Sequence, residues 1–157
     1  MSWSNSKVFR QFPADVFNNT ATFKLVTDTI TVALYNNTGT PDQNVTAANS
    51  AYNTGQWVTG NEVSSVGQWA AGGVNISSGK VLDVTTAATV MYDGADVASG
   101  ASATLASVFG CLVYENTLTT PVADQGICFN YFGGSQGVTS GTFTVVWSTN
   151  GIFRLTL

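Results

Sequence analysis

The C-terminal residues 141–157 read GTFTVVWSTNGIFRLTL, and apolar and polar residues alternate on both sides of Asn150-Gly151. A period of two is typical of β-strands with one buried face. A three-residue loop at 149–151 places large apolar residues opposite one another, whereas a two-residue loop shifts the register by one and exchanges the faces. The resulting pairs are Trp147 with Phe153, Val145 with Leu155, and Phe143 with Leu157. The segment predicts a C-terminal hairpin, with Gly151 in the left-handed conformation that this turn requires.

Five other segments are rich in β-branched or aromatic residues and are bounded by Gly, Pro, Asn or Asp, a pattern typical of short strands between turns. They are residues 29–35, 80–84, 89–92, 107–114 and 127–132. Many short strands with few helices indicate an all-β fold. We expect a single domain over residues 1–157, built as a β-sandwich or small β-barrel with a C-terminal hairpin and one or two short helices near the N-terminus.

Signals for helix are scarce. Apolar residues have helical spacing from Val8 to Phe17, but Pro13 interrupts them, so we expect a short helix that begins near Pro13, or a kinked one. Residues 46–52 can form one or two further turns. Between Tyr35 and Val74 the sequence predicts a long connection with little regular structure. Such connections are uncommon in compact domains unless they have a task, such as embracing a neighbour.

Charge is sparse and acidic. The chain has 157 residues, 9% of them charged, and five Lys and Arg against nine Asp and Glu give a net charge of -4. The cations are scattered singly, so the basic stripe that nucleic-acid binding needs is missing and no direct nucleic-acid partner is expected. No apolar run reaches the length of a membrane span, and the N-terminus lacks the apolar stretch of a secretory signal. We therefore expect a protein made in the cytoplasm, with no membrane partner.

The two cysteines, Cys111 and Cys128, each lie in an apolar run. Two cysteines make neither a disulfide framework nor a four-ligand metal site. Buried free thiols are the expected state, with a disulfide between neighbouring strands as the alternative.

Residues suited to catalysis are few. The chain has no His, which removes the commonest general base and the commonest zinc ligand. Glu62 and Glu115 are the only glutamates, and nothing in the sequence brings them to the spacing of a glycosidase pair. Residues 93–96, Asp-Gly-Ala-Asp, favour a turn over a calcium loop. We therefore expect no enzymatic activity, no catalytic residue, no metal and no cofactor.

Several aromatic residues are candidates for an interface. Trp3, Trp57 and Trp69 lie in polar, glycine-rich surroundings, where core packing or subunit contact is favoured and stacking on a sugar is the alternative. Residues 1–12 are a candidate docking arm, since its first ten residues carry Trp3 and Phe9 beside two basic side chains, with a free, fraying terminus as the alternative. The candidate interface residues are Trp3, Phe9, Arg10, Tyr52, Trp57 and Trp69.

Short motifs follow one another along most of the chain. The first half carries DTITVALY at 28–35, TPDQ at 40–43, NEV at 61–63 and WAAGGV at 69–74. The second half carries DGADV at 93–97 and SVFGCLVYE at 107–115. In this order the motifs resemble a family of small structural proteins of tailed bacteriophages, especially those of actinobacteria, more loosely in the second half. The motifs are structural rather than chemical.

The resemblance implies a virion component encoded among head and tail genes, and it places no active-site residue on this chain. Members of such families are capsid decoration or minor capsid proteins, and some are minor tail proteins. We expect a decoration protein that binds the major capsid protein on the capsid exterior, assembles in the host cytoplasm and stabilises the head. Capsid symmetry suggests a cyclic homo-oligomer, a trimer at a local three-fold axis. The alternatives are a minor tail or tail-tube protein, and a carbohydrate-binding module that attaches virions to cells through Trp57, Trp69 or Tyr52.

Overall fold

The computed structural model describes residues 3–157, and most of its regular structure is β-strand. The strands are β1 (Lys7–Val8), β2 (Ile30–Tyr35), β3 (Val74–Asn75), β4 (Val81–Asp83), β5 (Thr89–Asp93), β6 (Val97–Ala98), β7 (Ala103–Glu115), β8 (Gly126–Gly141), β9 (Thr144–Val145) and β10 (Phe153–Thr156). The helices are α1 (Gln11–Phe17) and α2 (Ala47–Ser50), with one 3₁₀ turn at Thr59–Asn61. The predicted all-β class with few helices is confirmed. None of the helices in residues 3–157 has the length and apolar content that crossing a bilayer requires.

The strands form three antiparallel sheets. The largest has the order β1-β8-β7-β2-β3, a second has the order β10-β5-β4, and β6 pairs with β9. Every residue of β2 is buried, so the main sheet is covered on both faces around this strand. β2 pairs along its whole length with β7, with Val32 opposite Val113. Because β1 and β3 are edges of the main sheet, the described strands do not close it into a barrel.

The predicted C-terminal hairpin is wrong. Its two arms join different sheets, since β9 pairs with β6 through Val145 and β10 pairs with β5 through Phe153. The tight turn alone is as expected, because Gly151 has a φ of 75° and forms an isolated bridge with Ser148. The alternation correctly identifies Val145 and Phe153 as buried residues, but it does not identify their strand partners. Pairing with β5 places Phe153 opposite Tyr92, so the ring joins the main core instead of a local hairpin.

Both short helices lie where the sequence predicts them. Pro13 is the third residue of α1, in the first turn, where a backbone N–H has no partner within the helix. α2 follows Thr46, whose side-chain oxygen accepts a hydrogen bond from the backbone N–H of Asn49 at 3.3 Å. This is the arrangement of an N-cap, and it explains where α2 begins.

A buried carboxylate fastens α1 to the body of the protein. Asp15 accepts hydrogen bonds from the side chains of Gln11 at 2.8 Å and Thr20 at 2.9 Å. The buried Gln125 amide donates a third, at 2.8 Å. Burial acts to raise the pKa of Asp15, but the hydrogen bonds outweigh it and hold the pKa below its usual value. The charged carboxylate therefore ties α1 to the residue that precedes β8.

β7 and β8 are longer than predicted, whereas β2, β4 and β5 lie within one residue of their predicted bounds. The predicted segments 107–114 and 127–132 extend to Ala103–Glu115 and Gly126–Gly141. The added part of β8 is rich in Gly, Ser and Thr, so it lacks the apolar alternation that identifies a strand from sequence. Its backbone nevertheless pairs with β7, because ladder hydrogen bonds do not depend on side chains.

The long connection between β2 and β3 has little regular structure, as predicted, and it covers the chain's own sheet. Trp57 and Trp69 from this connection are buried. The Tyr35 hydroxyl of β2 donates a hydrogen bond to the Trp57 carbonyl at 2.6 Å. Where the connection returns to the sheet, Gly73 has a φ of +95°, and a Cβ there would lie 2.2 Å from the Val32 carbonyl oxygen. Only glycine fits at this position without displacing β2.

The two cysteines are free and buried, as predicted, and the disulfide alternative is wrong. Cys111 lies opposite Asn130, and Cys128 lies opposite Val113. Burial raises the pKa of Cys111 to about 12 and also raises that of Cys128. Both thiols are therefore protonated at neutral pH, which makes them poor nucleophiles.

Candidate functional site

A cleft lies between β1, the middle of β8 and the C-terminal segment. Its volume is about 610 Å³. A second cavity of about 460 Å³ adjoins it, since Tyr131, Phe132, Val145 and Val146 line both. Cavities of this size are typical of ligand sites. The two cavities together are called the β8 cleft below.

Aromatic side chains form much of the wall of the β8 cleft. Tyr131 and Phe132 come from β8, and Phe143 and Trp147 flank β9. The ring centroids of Phe132 and Phe143 lie 6.4 Å apart. The Trp147 indole N–H donates a hydrogen bond to the Ala95 carbonyl at 3.1 Å, which holds the ring in place. This part of the wall is therefore aromatic, with at least one ring in a defined orientation.

A bulge in β8 lies at this wall. Gly110 of β7 pairs with Tyr131 of β8, and Val108 pairs with Gln136. Five residue steps of β8 therefore lie opposite two steps of β7. Inserted residues bend a strand and redirect its side chains. Both glycines within the insertion have a positive φ, which permits the bend. The bulge therefore explains why β8 carries aromatic side chains to a cleft instead of continuing a flat ladder.

The charged residues that line the β8 cleft are both cations, Lys7 of β1 and Arg154 of β10. Both side chains are exposed. Arg154 Nη1 donates a hydrogen bond to the Asn150 side chain at 2.9 Å. The lining side chains therefore carry two positive charges and no negative one, although the chain as a whole has nine carboxylates and five cations. One carboxylate contacts a lining residue, since Asp96 Oδ1 accepts a hydrogen bond from the Trp147 N–H at 3.0 Å.

Four of the predicted interface residues belong to the core. Trp3, Phe9, Trp57 and Trp69 are 4%, 0%, 1% and 0% exposed. Three of them surround Phe129, with ring centroids 6.0 Å away for Trp3, 5.4 Å for Phe9 and 5.9 Å for Trp57. Aromatic rings bury a large apolar area, so enclosing them is strongly stabilising. The core interpretation is confirmed for Trp3, Trp57 and Trp69, and Phe9, a candidate from the predicted arm, is buried as well, so none of the four lies at the surface of the chain.

Residues 3–12 do not form a docking arm. β1 is an edge strand of the main sheet, and the Trp3 indole N–H donates to the Asn36 carbonyl at 2.9 Å. Residues 3–12 are therefore part of the body, while residues 1 and 2 of the predicted arm lie outside the described residues. Arg10 is exposed and donates a hydrogen bond to the Asn44 side chain at 3.0 Å. Of the candidates in this segment, Arg10 is the one at the surface.

Tyr52 is half-buried in a cluster with Glu62 and Tyr114. Its ring stacks on Tyr114, with centroids 5.1 Å and planes 10° apart. Its hydroxyl donates to Glu62 Oε2 at 2.8 Å, and the backbone N–H of Gly72 donates to Oε1 at 2.7 Å. Burial raises the pKa of Glu62 against the effect of these hydrogen bonds. The cluster fastens the long connection to β7, so the polar groups of Tyr52 and Glu62 are engaged within the chain.

The two glutamates do not form a catalytic pair. Glu62 bridges to Tyr35 at one end of β2, and Glu115 lies opposite Ile30 at the other. Five steps of extended strand separate the backbone at these ends by about 17 Å. The carboxyl groups of glycosidases lie about 5–10 Å apart. Among residues 3–157 no group of three or more His, Cys, Asp or Glu side chains is placed to hold a metal ion.

The sequence does not identify the cleft residues as a site. The alternation places Phe143 and Trp147 on the buried face of a hairpin, whereas both are half-buried beside the cleft. One available signal is the Gly-Gly dipeptide at 133–134 that directly follows Tyr131 and Phe132. Glycine pairs inside a strand pattern indicate bulges, and bulges are enriched at functional sites.

Comparisons of this chain with protein families, with curated proteins and with solved structures find no match. The resemblance to phage structural proteins therefore rests on the sequence motifs, and the function is inferred from the β8 cleft and the surface of the protein.

Proposed function

We propose that this chain is a capsid decoration protein of a tailed bacteriophage, which binds the outer surface of the major capsid lattice and stabilises the head. The β8 cleft carries the proposal, because an open groove with an aromatic wall on a β-sheet body suits the docking of a segment of another protein. The motifs that resemble phage structural proteins supply the virion context.

The composition of the chain supports an array of many copies. Only 9% of the residues are charged. Identical neighbouring surfaces therefore repel one another weakly, and contacts with apolar centres and polar rims can form between them. A protein bound across adjacent capsid subunits adds buried interface area. That added area opposes the internal pressure of packaged DNA.

Exposed apolar side chains support self-association. Phe17 and Leu157 are each 83% exposed, and Val84 is 68% exposed. The segments that carry them are neighbours, since Phe12 of α1 packs on Phe153 of β10 with ring centroids 5.8 Å apart, and β10 and β4 flank β5. Large exposed apolar surfaces are typical of protein contacts. We propose that copies associate through this region into a cyclic oligomer, a trimer at a local three-fold axis.

Binding to capsid shells tests the proposal. Purified protein is mixed with expanded empty shells, and the bound copies are counted after sedimentation. We expect saturable binding and a higher melting temperature of the shells. Val146→Asp, in the cleft, should weaken binding, whereas Val66→Asp is the matched control at an exposed valine outside the cleft. Shells that neither bind the protein nor gain stability contradict the proposal.

A minor tail or tail-tube protein is the structural alternative. Electron microscopy of intact particles with a labelled chain terminus separates the two locations. Signal on the head supports the decoration protein, and signal along the tail replaces it with the tail protein.

The residues expected to bind carbohydrate are not free to stack on a sugar. Trp57 and Trp69 are buried, and Tyr52 is engaged with Glu62 and Tyr114. Sugar-binding aromatic rings must be accessible to stack on a ligand. Binding of the purified protein to a glycan array, abolished by Trp147→Ala, would replace the decoration proposal with this one.

A further inference from the structure

We infer that the β8 cleft binds an extended, acidic segment of another polypeptide, in which carboxylates alternate with apolar side chains. The inference rests on the proposed function for the identity of that polypeptide, the major capsid protein. The chemistry of the segment is argued from the cleft itself.

Charge complementarity determines the sign of the partner. Lys7 and Arg154 are the charged residues that line the cleft. Within the described part of the chain, neither of them pairs with a carboxylate. A positive site on an acidic protein attracts an anionic partner and repels a cationic one. Arg154 uses one of its N–H groups for Asn150, so others remain to form hydrogen bonds with a carboxylate.

The open edge of β8 favours an extended partner. β1 pairs with β8 only at Cys128 and Phe129, and the Tyr131 N–H donates to the Ser6 hydroxyl at 2.9 Å. No other strand in residues 3–157 pairs with β8 on the side away from β7. Unpaired strand edges accept extended chains through backbone hydrogen bonds. The two adjoining cavities, which share four lining residues, also favour a long ligand over a compact one.

The wall and the rim of the cleft differ in polarity. Tyr131 and Trp147 give an apolar wall, and Val146 beside them is 68% exposed. The two cations are exposed at the rim. Successive side chains of an extended segment point to opposite sides. Apolar side chains of such a segment can therefore pack on the wall while its carboxylates reach Lys7 and Arg154.

A peptide screen tests the inference. A random library of ten-residue peptides displayed on beads is screened against the full chain. We expect the enriched peptides to combine Asp or Glu with apolar residues at alternate positions. Binding should change the fluorescence of Trp147, because the other three tryptophans are buried, and the change should disappear in Trp147→Phe.

Charge reversal locates the binding surface. Lys7→Glu and Arg154→Glu should each lower the affinity for an enriched acidic peptide on the order of tenfold. Added salt should lower the affinity of the wild type for the same peptide. Lys24→Glu makes the same charge change at an exposed cation outside the cleft and should leave the affinity nearly unchanged.

Several results would overturn the inference. Examples are the absence of enrichment, enrichment of neutral or basic peptides, or an equal loss of affinity in Lys24→Glu. Self-association that Arg154→Glu abolishes would also overturn it, because the occupant is then a second copy of this chain. Equal binding of the wild type and Arg154→Glu to shells would overturn the inference and leave the proposed function standing. Binding of acidic peptides without binding to shells overturns the proposed function alone.

Discussion

Replacing Trp3 with Ala tests whether the N-terminal residues belong to the folded body. The ring centroid of Trp3 lies 5.8 Å from that of Trp57, 6.0 Å from Phe129 and 6.5 Å from Tyr131. The substitution also removes the hydrogen bond from the indole to the Asn36 carbonyl. Truncating a buried aromatic residue costs about 3–5 kcal/mol. Because a terminal segment can detach without unfolding the rest, we expect a loss of about 3 kcal/mol, at the lower end of that range.

Urea unfolding followed by circular dichroism measures this loss. With a urea dependence of about 2 kcal/mol per molar, the midpoint should fall by about 1.5 M. Val66→Ala is the control, because this apolar side chain is 99% exposed and its truncation should change the unfolding free energy by less than about 0.5 kcal/mol. Equal midpoints for Trp3→Ala and the wild type would show that the N-terminal residues are a free arm, and would refute the reasoning from burial.

Three further predictions concern the body of the protein. Asp15→Asn turns an amide toward three hydrogen-bond donors and should lower the unfolding free energy near neutral pH by about 1–3 kcal/mol. Because the folded-state pKa of Asp15 lies below 3.8, its contribution is present above that value and is lost as the pH falls through the folded-state pKa. Thermal melts across acidic pH should therefore show a smaller loss of stability in the variant, and parallel curves would contradict the pKa shift. Gly73→Ala drives a Cβ into the backbone of β2 and should cost more than about 2 kcal/mol in urea, whereas Gly67→Ala, at a φ of +71° with open space around it, should cost about 1 kcal/mol. Cys111 and Cys128 should react with a thiol reagent no faster than the protein opens, and immediate labelling of the folded protein would contradict their burial.

The elements predicted correctly are those whose cause is local. Pro13 suits the first turn of a helix, and Thr46 caps the helix that follows it, whatever the rest of the chain does. Gly151 adopts the left-handed conformation because its own turn requires it. The alternation at Val145 and Phe153 likewise identifies the buried side of each strand.

The wrong predictions concern partners that are distant in sequence. Only a short segment with a tight turn separates β9 from β10, yet each pairs with a strand more than forty residues earlier in the chain. The surroundings of Trp57 in the sequence favour core packing or subunit contact without saying which residues it meets, and Phe9 and Phe129 from distant segments enclose it. A pattern of neighbours along the chain carries no information about such enclosure.

The sequence by itself determines the strand-rich fold class, the sparse acidic charge, the two short helices and the buried, free thiols, because each follows from composition or from residues close together in the chain. Only the tertiary structure decides which aromatic rings remain at the surface and where the positive cleft lies. Lys7 and Arg154 come from opposite ends of the chain, and they line one cleft because β1 and the C-terminal segment are both brought alongside β8. Pairing between distant strands depends on which arrangement buries the most apolar surface, and that is a property of the whole chain.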